Sequence, residues 1–188
     1  MVRNITNPSL ITIGIFLLSL IACEKSINGL KVTNNLLPNG SFELNNKPTL
    51  YGWRFGNKRA AELVNQAVPH GGNWALKLTS DWAPTTAFVY TSIPNINSGD
   101  ILKLSAYVRG MGRFHGMGII RLAVGQNINS YNMKEASSSD TVWTQISVTD
   151  TVNMGMNDTL WVILSSPITE VIPFQQLFDL VKLEKVVK

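Results

Sequence analysis

Seven short runs rich in Val, Ile, Leu, Thr and aromatic residues constrain this chain more than any other feature. They are "NWALKLTS", "TTAFVYTSIP", "DILKLSAYVRG", "MGIIRLAVG", "TVWTQISVTDTV", "DTLWVILSSP" and "FDLVKLEKVV". Turn clusters separate them, among them "HGG", "SDWAP", "NINSGD", "GQNINS" and "NMGMND". Within "DILKLSAYVRG" the alternation is clean. Leu102, Leu104, Ala106 and Val108 fall on one face, and Lys103, Ser105, Tyr107 and Arg109 on the other. No segment keeps a helical apolar period beyond about two turns; "KRAAELVNQAV" comes closest, and we assign it as a strand. Many short strands with regular turns in one domain predict an all-β fold, an antiparallel β-sandwich.

The N-terminus is of another kind. Arg3 precedes "LITIGIFLLSLIA", an apolar core that ends at "LIAC". That core is shorter than the roughly 20 residues a membrane span needs. A short anchoring helix is the alternative to an export signal. Leu20-Ile21-Ala22-Cys23 resembles the lipobox of bacterial lipoproteins. The resemblance implies that residues 1–22 are a signal peptide removed on export and that Cys23 is lipidated as the first residue of the mature chain. It further implies a membrane partner, with the protein anchored at the outer membrane or cell surface. Cys23 is the single cysteine, so no disulfide can form within the chain. "EKSINGLKVTNN" follows as a polar tether, residues 23–33, and residues 34–188 form one domain.

Removing residues 1–22 leaves 166 of the 188 residues, with 15 Lys+Arg (16 minus Arg3) against 12 Asp+Glu. The balance is mildly basic, and the basic residues are scattered, which excludes a nucleic-acid-binding surface. "RGMGRFHGMG" holds four glycines in ten residues but lies between two strands, with no Lys-Ser/Thr after it and no helix to follow. It is a connecting loop, not a phosphate loop.

The stretch "NNLLPNGSFELNNKPTLYGW" is dense in turn formers, yet it resembles the opening of carbohydrate-binding modules of families 4, 9, 16 and 22, the galactose-binding-like jelly rolls. "HGGNWALKLT", "SIPNINSGDILKLSAYVRG", "VWTQISVT" and "LFDLVKLEKV" resemble later strands of the same families, in the same order. Leu102 stands where those families carry Tyr, and Tyr107 where they carry Trp. The resemblance implies a jelly roll, with Asn34–Glu43 as its first strand, Leu44–Gly52 a loop, and Trp53 and Trp143 in the core. It also implies a structural calcium. Carried over, its ligands are Glu43, Asp179 and carbonyls of the "HGGN" turn, Gly72 and Asn73. Calcium takes six to eight oxygen ligands and mixes carboxylates with carbonyls, so the set is chemically coherent. Leu180 departs from the pattern, since those families often carry a second Asp there. Pairing of Glu43 and Asp179 with Lys or Arg at a sheet edge is the plainer alternative.

Sugar-binding modules stack aromatic rings on pyranose faces and bond the hydroxyls with polar groups, which needs aromatics that face solvent. Tyr107 qualifies by alternation, with Arg109 beside it. Arg121 is polar inside "IIRLAVG", where Ile120, Leu122 and Val124 face the core. Tyr131, Trp82, Phe114 and His115 lie in loops that could rim the same face. Asp81, Asp100, Asp140, Asp150 and Asp158 sit in turns, where Asp belongs for turn chemistry. Neither His70 nor His115 has metal spacing or a nucleophile beside it. The expected function is therefore non-catalytic carbohydrate binding by a surface lipoprotein. An adhesive or structural lipoprotein that binds a protein partner stays open. So does a small jelly-roll polysaccharide lyase using Arg109, Tyr107 and His115.

Overall fold

The computed structural model describes residues 31–32, 34–56, 60–80, 87–112, 116–167 and 174–187. Residues 1–22, read above as a signal peptide, and Cys23, Trp82, Phe114 and His115 lie outside them.

All the predicted runs form strands, and they pair antiparallel throughout. One sheet takes the order β11 (Thr144–Thr151), β8 (Ile101–Met111), β13 (Gln175–Val187), β6 (Ala75–Thr79) and β5 (Ala61–Val64). A short strand β1 (Lys31–Val32) adds to β13, making six. The facing sheet has five strands: β10 (Ser130–Ser138), β9 (Gly118–Asn127), β12 (Thr159–Ser166), β7 (Ala87–Ile93) and β4 (Arg54–Phe55). β2 (Glu43–Leu44) and β3 (Lys47–Pro48) close a small hairpin.

The core is the interleaf of the two sheets. Leu102, Leu104, Ala106 and Val108 of β8, with Phe178 and Leu183 of β13, face Ile120 and Leu122 of β9 and Leu160, Val162 and Leu164 of β12. Each of these side chains is almost wholly buried. At about 1.5–3 kcal/mol for each large apolar side chain withdrawn from water, this layer is what favours the fold. Gly118 lies where a Cβ would overlap the Val108 side chain, so the sheets approach closely there.

Three sequence expectations need correction. Lys31–Val32 pair with Val187 and Val186, so the sheet begins inside the stretch read as tether. Residues 34–42 form no strand. They run along β13 on scattered bonds: Leu36 N–H to Leu183 O at 2.8 Å, and Val181 N–H to Gly40 O at 2.8 Å. Asn35 adds two more, its Oδ1 accepting from Leu183 N–H and its Nδ2 donating to Val181 O. Pro38 lacks the N–H a ladder requires, and Phe42 sits at φ 58°, which breaks an extended run. Third, Ser130–Ser138 is a full strand paired with β9, so Tyr131 belongs to a sheet and not a loop. Asp150 likewise lies within β11.

Within β13 the register shifts between Asp179 and Lys182, a bulge in which Leu180 takes φ 46°. Such a backbone is costly for a residue as bulky as Leu.

Truncating Leu164 to Ala should cost about 2–5 kcal/mol, because a filled layer between the sheets becomes a cavity. Met133→Ala, on an exposed position, should stay within about 0.5 kcal/mol of the parent. Urea unfolding of the two variants checks the assignment of inner and outer faces.

Candidate functional site

Period-two alternation sends half of each strand outward, and in the five-stranded sheet the outward half is unusually aromatic. On β7 Phe88 and Tyr90 point away from the core residues Ala87, Val89 and Ile93. On β12 Trp161 and Ile163 point away from Leu160, Val162 and Leu164. β10 adds Tyr131 and Met133 by its register with Gly125 and Ala123. The Phe88 and Tyr90 ring centroids lie 5.9 Å apart, and Tyr90 meets Trp161 edge to face at 5.8 Å and 69°. These rings are neither core nor fully exposed. They are half-buried, which is what a stacking surface requires.

One transverse row crosses the whole sheet: Glu135, Arg121, Ile163, Tyr90 and Arg54, each the Cα partner of the next. Four strand gaps make it about 19 Å long. Arg121 is locked within it. Its Nε donates to Glu135 Oε2 at 2.8 Å, and its Nη1 donates to the Oγ of the fully buried Ser165. The guanidinium is thereby held in one pose beside Tyr131 and Phe88. Together with Asn129 and Ile163 these residues line a cleft of about 360 Å³.

The sequence-predicted ligand residues divide between two faces. Arg121 and Tyr131 share this cleft. Tyr107 and Arg109 do not, because β8 belongs to the other sheet and its outward face points the opposite way. Arg109 is also engaged: its Nε donates to Thr141 O at 3.1 Å and ties down the turn before β11. The turn aspartates behave as turn chemistry requires. Asp100 Oδ2 accepts from Asn97 N–H at 3.0 Å, Asp158 Oδ2 from Gly155 N–H at 2.7 Å, and Asp140 Oδ2 from the Ser138 hydroxyl at 2.9 Å. Trp53 is buried as expected, its Nε1 bonded to Asn39 O at 2.7 Å, whereas Trp143 is only half-buried.

Phe88, Tyr90 and Trp161 escaped the sequence reading. Their signal was present as alternation within "AFVYTSI" and "TLWVIL", but an aromatic inside an apolar run resembles core.

The second constellation joins residues far apart in the chain. Asp179 is fully buried at the β13 bulge. Its Oδ2 accepts from Val68 N–H at 2.9 Å, and its Oδ1 from Leu180 N–H at 2.7 Å. Glu43 Oε2 accepts from Asn73 N–H at 3.1 Å. Both carboxylates therefore converge on the turn from Val68 to Asn73. Two glycines admit them: a Cβ on Gly72 would overlap Glu43 Oε1, and one on Gly71 would come within 2.7 Å of Asp179 Oδ2. Burial pushes the Asp179 carboxyl up to about 7. The bonds from Val68 and Leu180 oppose the shift, and the nearby Glu43 charge adds to it. Neither carboxylate is paired with Lys or Arg among the described residues, so the plain edge ion pair is not what is found there. No group of three or more His, Cys, Asp or Glu comes together among the described residues.

Phe42, His70, Gly72 and Leu180 all take positive φ. Three of the four are not glycine, and every one adjoins a residue of this cluster. Phe42, His70 and Leu180 are thus three of the six described non-glycine residues with positive φ, the others being Asn45, Asn46 and Asn95.

No protein-family model matches the sequence, and no curated protein is similar to it in sequence. Solved structures do match. A family 16 carbohydrate-binding module shares 19% identity at a TM-score of 0.57, over 79% of this chain and 99% of its own. The xylan-binding CBM22-1 domain of Paenibacillus barcinonensis Xyn10C shares 15% at 0.58, over 82% and 97%. A family 61 module solved with β-1,4-galactotriose shares 16% at 0.55, over 80% and 98%. The described residues thus have the antiparallel β-sandwich, jelly-roll fold seen in these carbohydrate-binding modules.

Proposed function

We propose that this protein is a non-catalytic lipoprotein that binds carbohydrate through the outward face of its five-stranded sheet. The observation that carries the reading is a half-buried aromatic surface on one face, Phe88 and Tyr131 lining the cleft with a fixed Arg121 and Tyr90 and Trp161 continuing it across the sheet. Pyranose rings offer apolar C–H faces to such rings, while a guanidinium and a buried hydroxyl bond the sugar hydroxyls. The structural neighbours named above include proteins described as binding xylan and as solved with a galactotriose, which supports the same reading. Among the described residues the cleft is not arranged for chemistry: Arg121 and Glu135 neutralise each other, and no second carboxylate lines it.

Export and anchoring belong to the reading. Lipidation at Cys23 would hold the domain at the outer membrane or cell surface. Tethering raises local concentration, so weak affinity at each site suffices.

Glu43 and Asp179, with carbonyls of Gly72 and Asn73, would hold a structural calcium. The proposed donors are all oxygens, the two carboxylates lack a counter-cation among the described residues, and the glycines let the turn approach both of them closely. Bound calcium would supply the missing positive charge and fasten β13 to the turn and the opening stretch.

Two measurements test these proposals. In affinity electrophoresis through a panel of polysaccharide gels, at least one glycan should retard the full chain. Tyr90→Ala and Arg121→Ala should each weaken that interaction about ten-fold, while Tyr107→Ala, on the opposite face, should leave it unchanged. Loss with Tyr107→Ala alone would move the site to the other sheet. No retardation by any glycan would favour an adhesive role with a protein partner.

The second measurement is thermal unfolding with and without chelator. Asp179 holds its proton more tightly folded, at about 7, than an ordinary carboxyl at 3.8. Its contribution to stability is therefore complete below 3.8 and is lost as pH rises through about 7. The chelated chain should lose stability as pH rises from about 4 to about 7, and added calcium should restore it most above that window, where no proton competes. Identical melting with and without calcium at about pH 8 would overturn the assignment.

A further inference from the structure

Arg54 occupies a position that neutral-sugar binding does not explain. It stands at the β4 edge of the transverse row, as the Cα partner of Tyr90. It is exposed and has no hydrogen bond or ion pair among the described residues. At the other flank Arg121 is compensated by Glu135. The row therefore carries one net positive charge, next to Tyr90.

We infer that the glycan taken by this face is acidic, a polysaccharide of uronate residues whose ring carboxylate meets Arg54 while the ring lies on Tyr90. The inference rests on the carbohydrate-binding reading and specifies it. A uronate carboxylate is an in-plane substituent at the periphery of the sugar ring. When the ring face stacks on an aromatic, that carboxylate projects past the aromatic's edge. Cross-strand neighbours have Cβ atoms about 5 Å apart, so a guanidinium opposite Tyr90 stands where the carboxylate emerges. Arginine suits the role, because its planar fork matches a carboxylate with two parallel bonds.

Arg121 repeats the pairing further along the row. It shares a cleft with Tyr131 and Phe88, and Ile163 separates it from Tyr90. A polymer bearing a carboxylate on every ring can place one on Arg54 while a neighbouring ring reaches Arg121, whereas a neutral chain offers Arg54 only hydroxyls and leaves its charge uncompensated. The basic balance left after residues 1–22 are removed, 15 Lys+Arg minus 12 Asp+Glu or +3, attracts such a polymer from a distance.

The test compares the full chain in gels containing polygalacturonate, neutral galactan or dextran sulfate. Polygalacturonate should retard it most, and its effect should weaken as salt rises. Arg54→Gln should reduce that retardation about ten-fold, as expected for one lost charge-assisted bidentate contact. The same substitution should not change retardation by neutral galactan. Since Arg54 is exposed, an unaltered melting curve for this variant controls for folding. Retardation by galactan equal to that by polygalacturonate, with Arg54→Gln inert, would overturn the acidic-glycan inference and leave carbohydrate binding standing. Equal retardation by dextran sulfate would overturn it too, by showing that charge alone suffices. Failure of every gel would overturn both.

Discussion

The pairing of β13 with its neighbours is the constraint on which the remainder of the structure rests. This strand lies between β8 and β6, takes β1 at its far end, and accepts the opening stretch through Leu183 and Val181. Its inner residues Phe178 and Leu183 fill the core, and its bulge turns Asp179 toward the Val68–Asn73 turn. A β-strand can present a carboxylate, a core residue and a docking edge together only if its period is broken once, and the bulge provides that break. The cost is a leucine in a left-handed backbone and a carboxylate without water.

The two faces of the sandwich divide the work. Because β8 and β9 follow one another in the chain but enter different sheets, their outward residues diverge. The six-stranded sheet turns Tyr107 and Arg109 to a face where Arg109 is occupied with the turn at Thr141. The five-stranded sheet collects rings and guanidinium groups. Its cleft owes its shape to Ser165, a buried hydroxyl on the central strand β12 that fixes Arg121 from below. The cation is thus ordered before any ligand arrives, and less freedom is lost on binding.

Strand existence was legible from the sequence wherever apolar alternation was strong, as in β8, β11 and β13. It was illegible in "SYNMKEASS", a polar edge strand that exists because β9 offers it a partner along its whole length. The opening stretch misled for the converse reason, since "NLLPNGSFE" has strand-like apolar residues but lacks the uninterrupted N–H groups to pair. Glu43 and Asp179 could be placed together only through family resemblance, because no local pattern links residues 136 positions apart (179 minus 43). The aromatic surface was hidden by depth. Ile163 and Ser165 are buried although they face outward, so β12 looks like a strand buried on both sides.

Adjacent strands in a sheet are rotated by roughly 20–25° relative to one another, always in the same sense. The row from Glu135 to Arg54 crosses five strands, so its side chains fan through a quarter of a turn, about 80–100° in all. Any polymer that follows the row must wind with it. A chain locked flat in a crystalline ribbon can touch one or two of these positions before it lifts away, whereas a soluble chain free to coil can stay in contact from end to end. If this face takes a polysaccharide as proposed, the twist of the sheet would discriminate by the polymer's physical state before any single sugar is read.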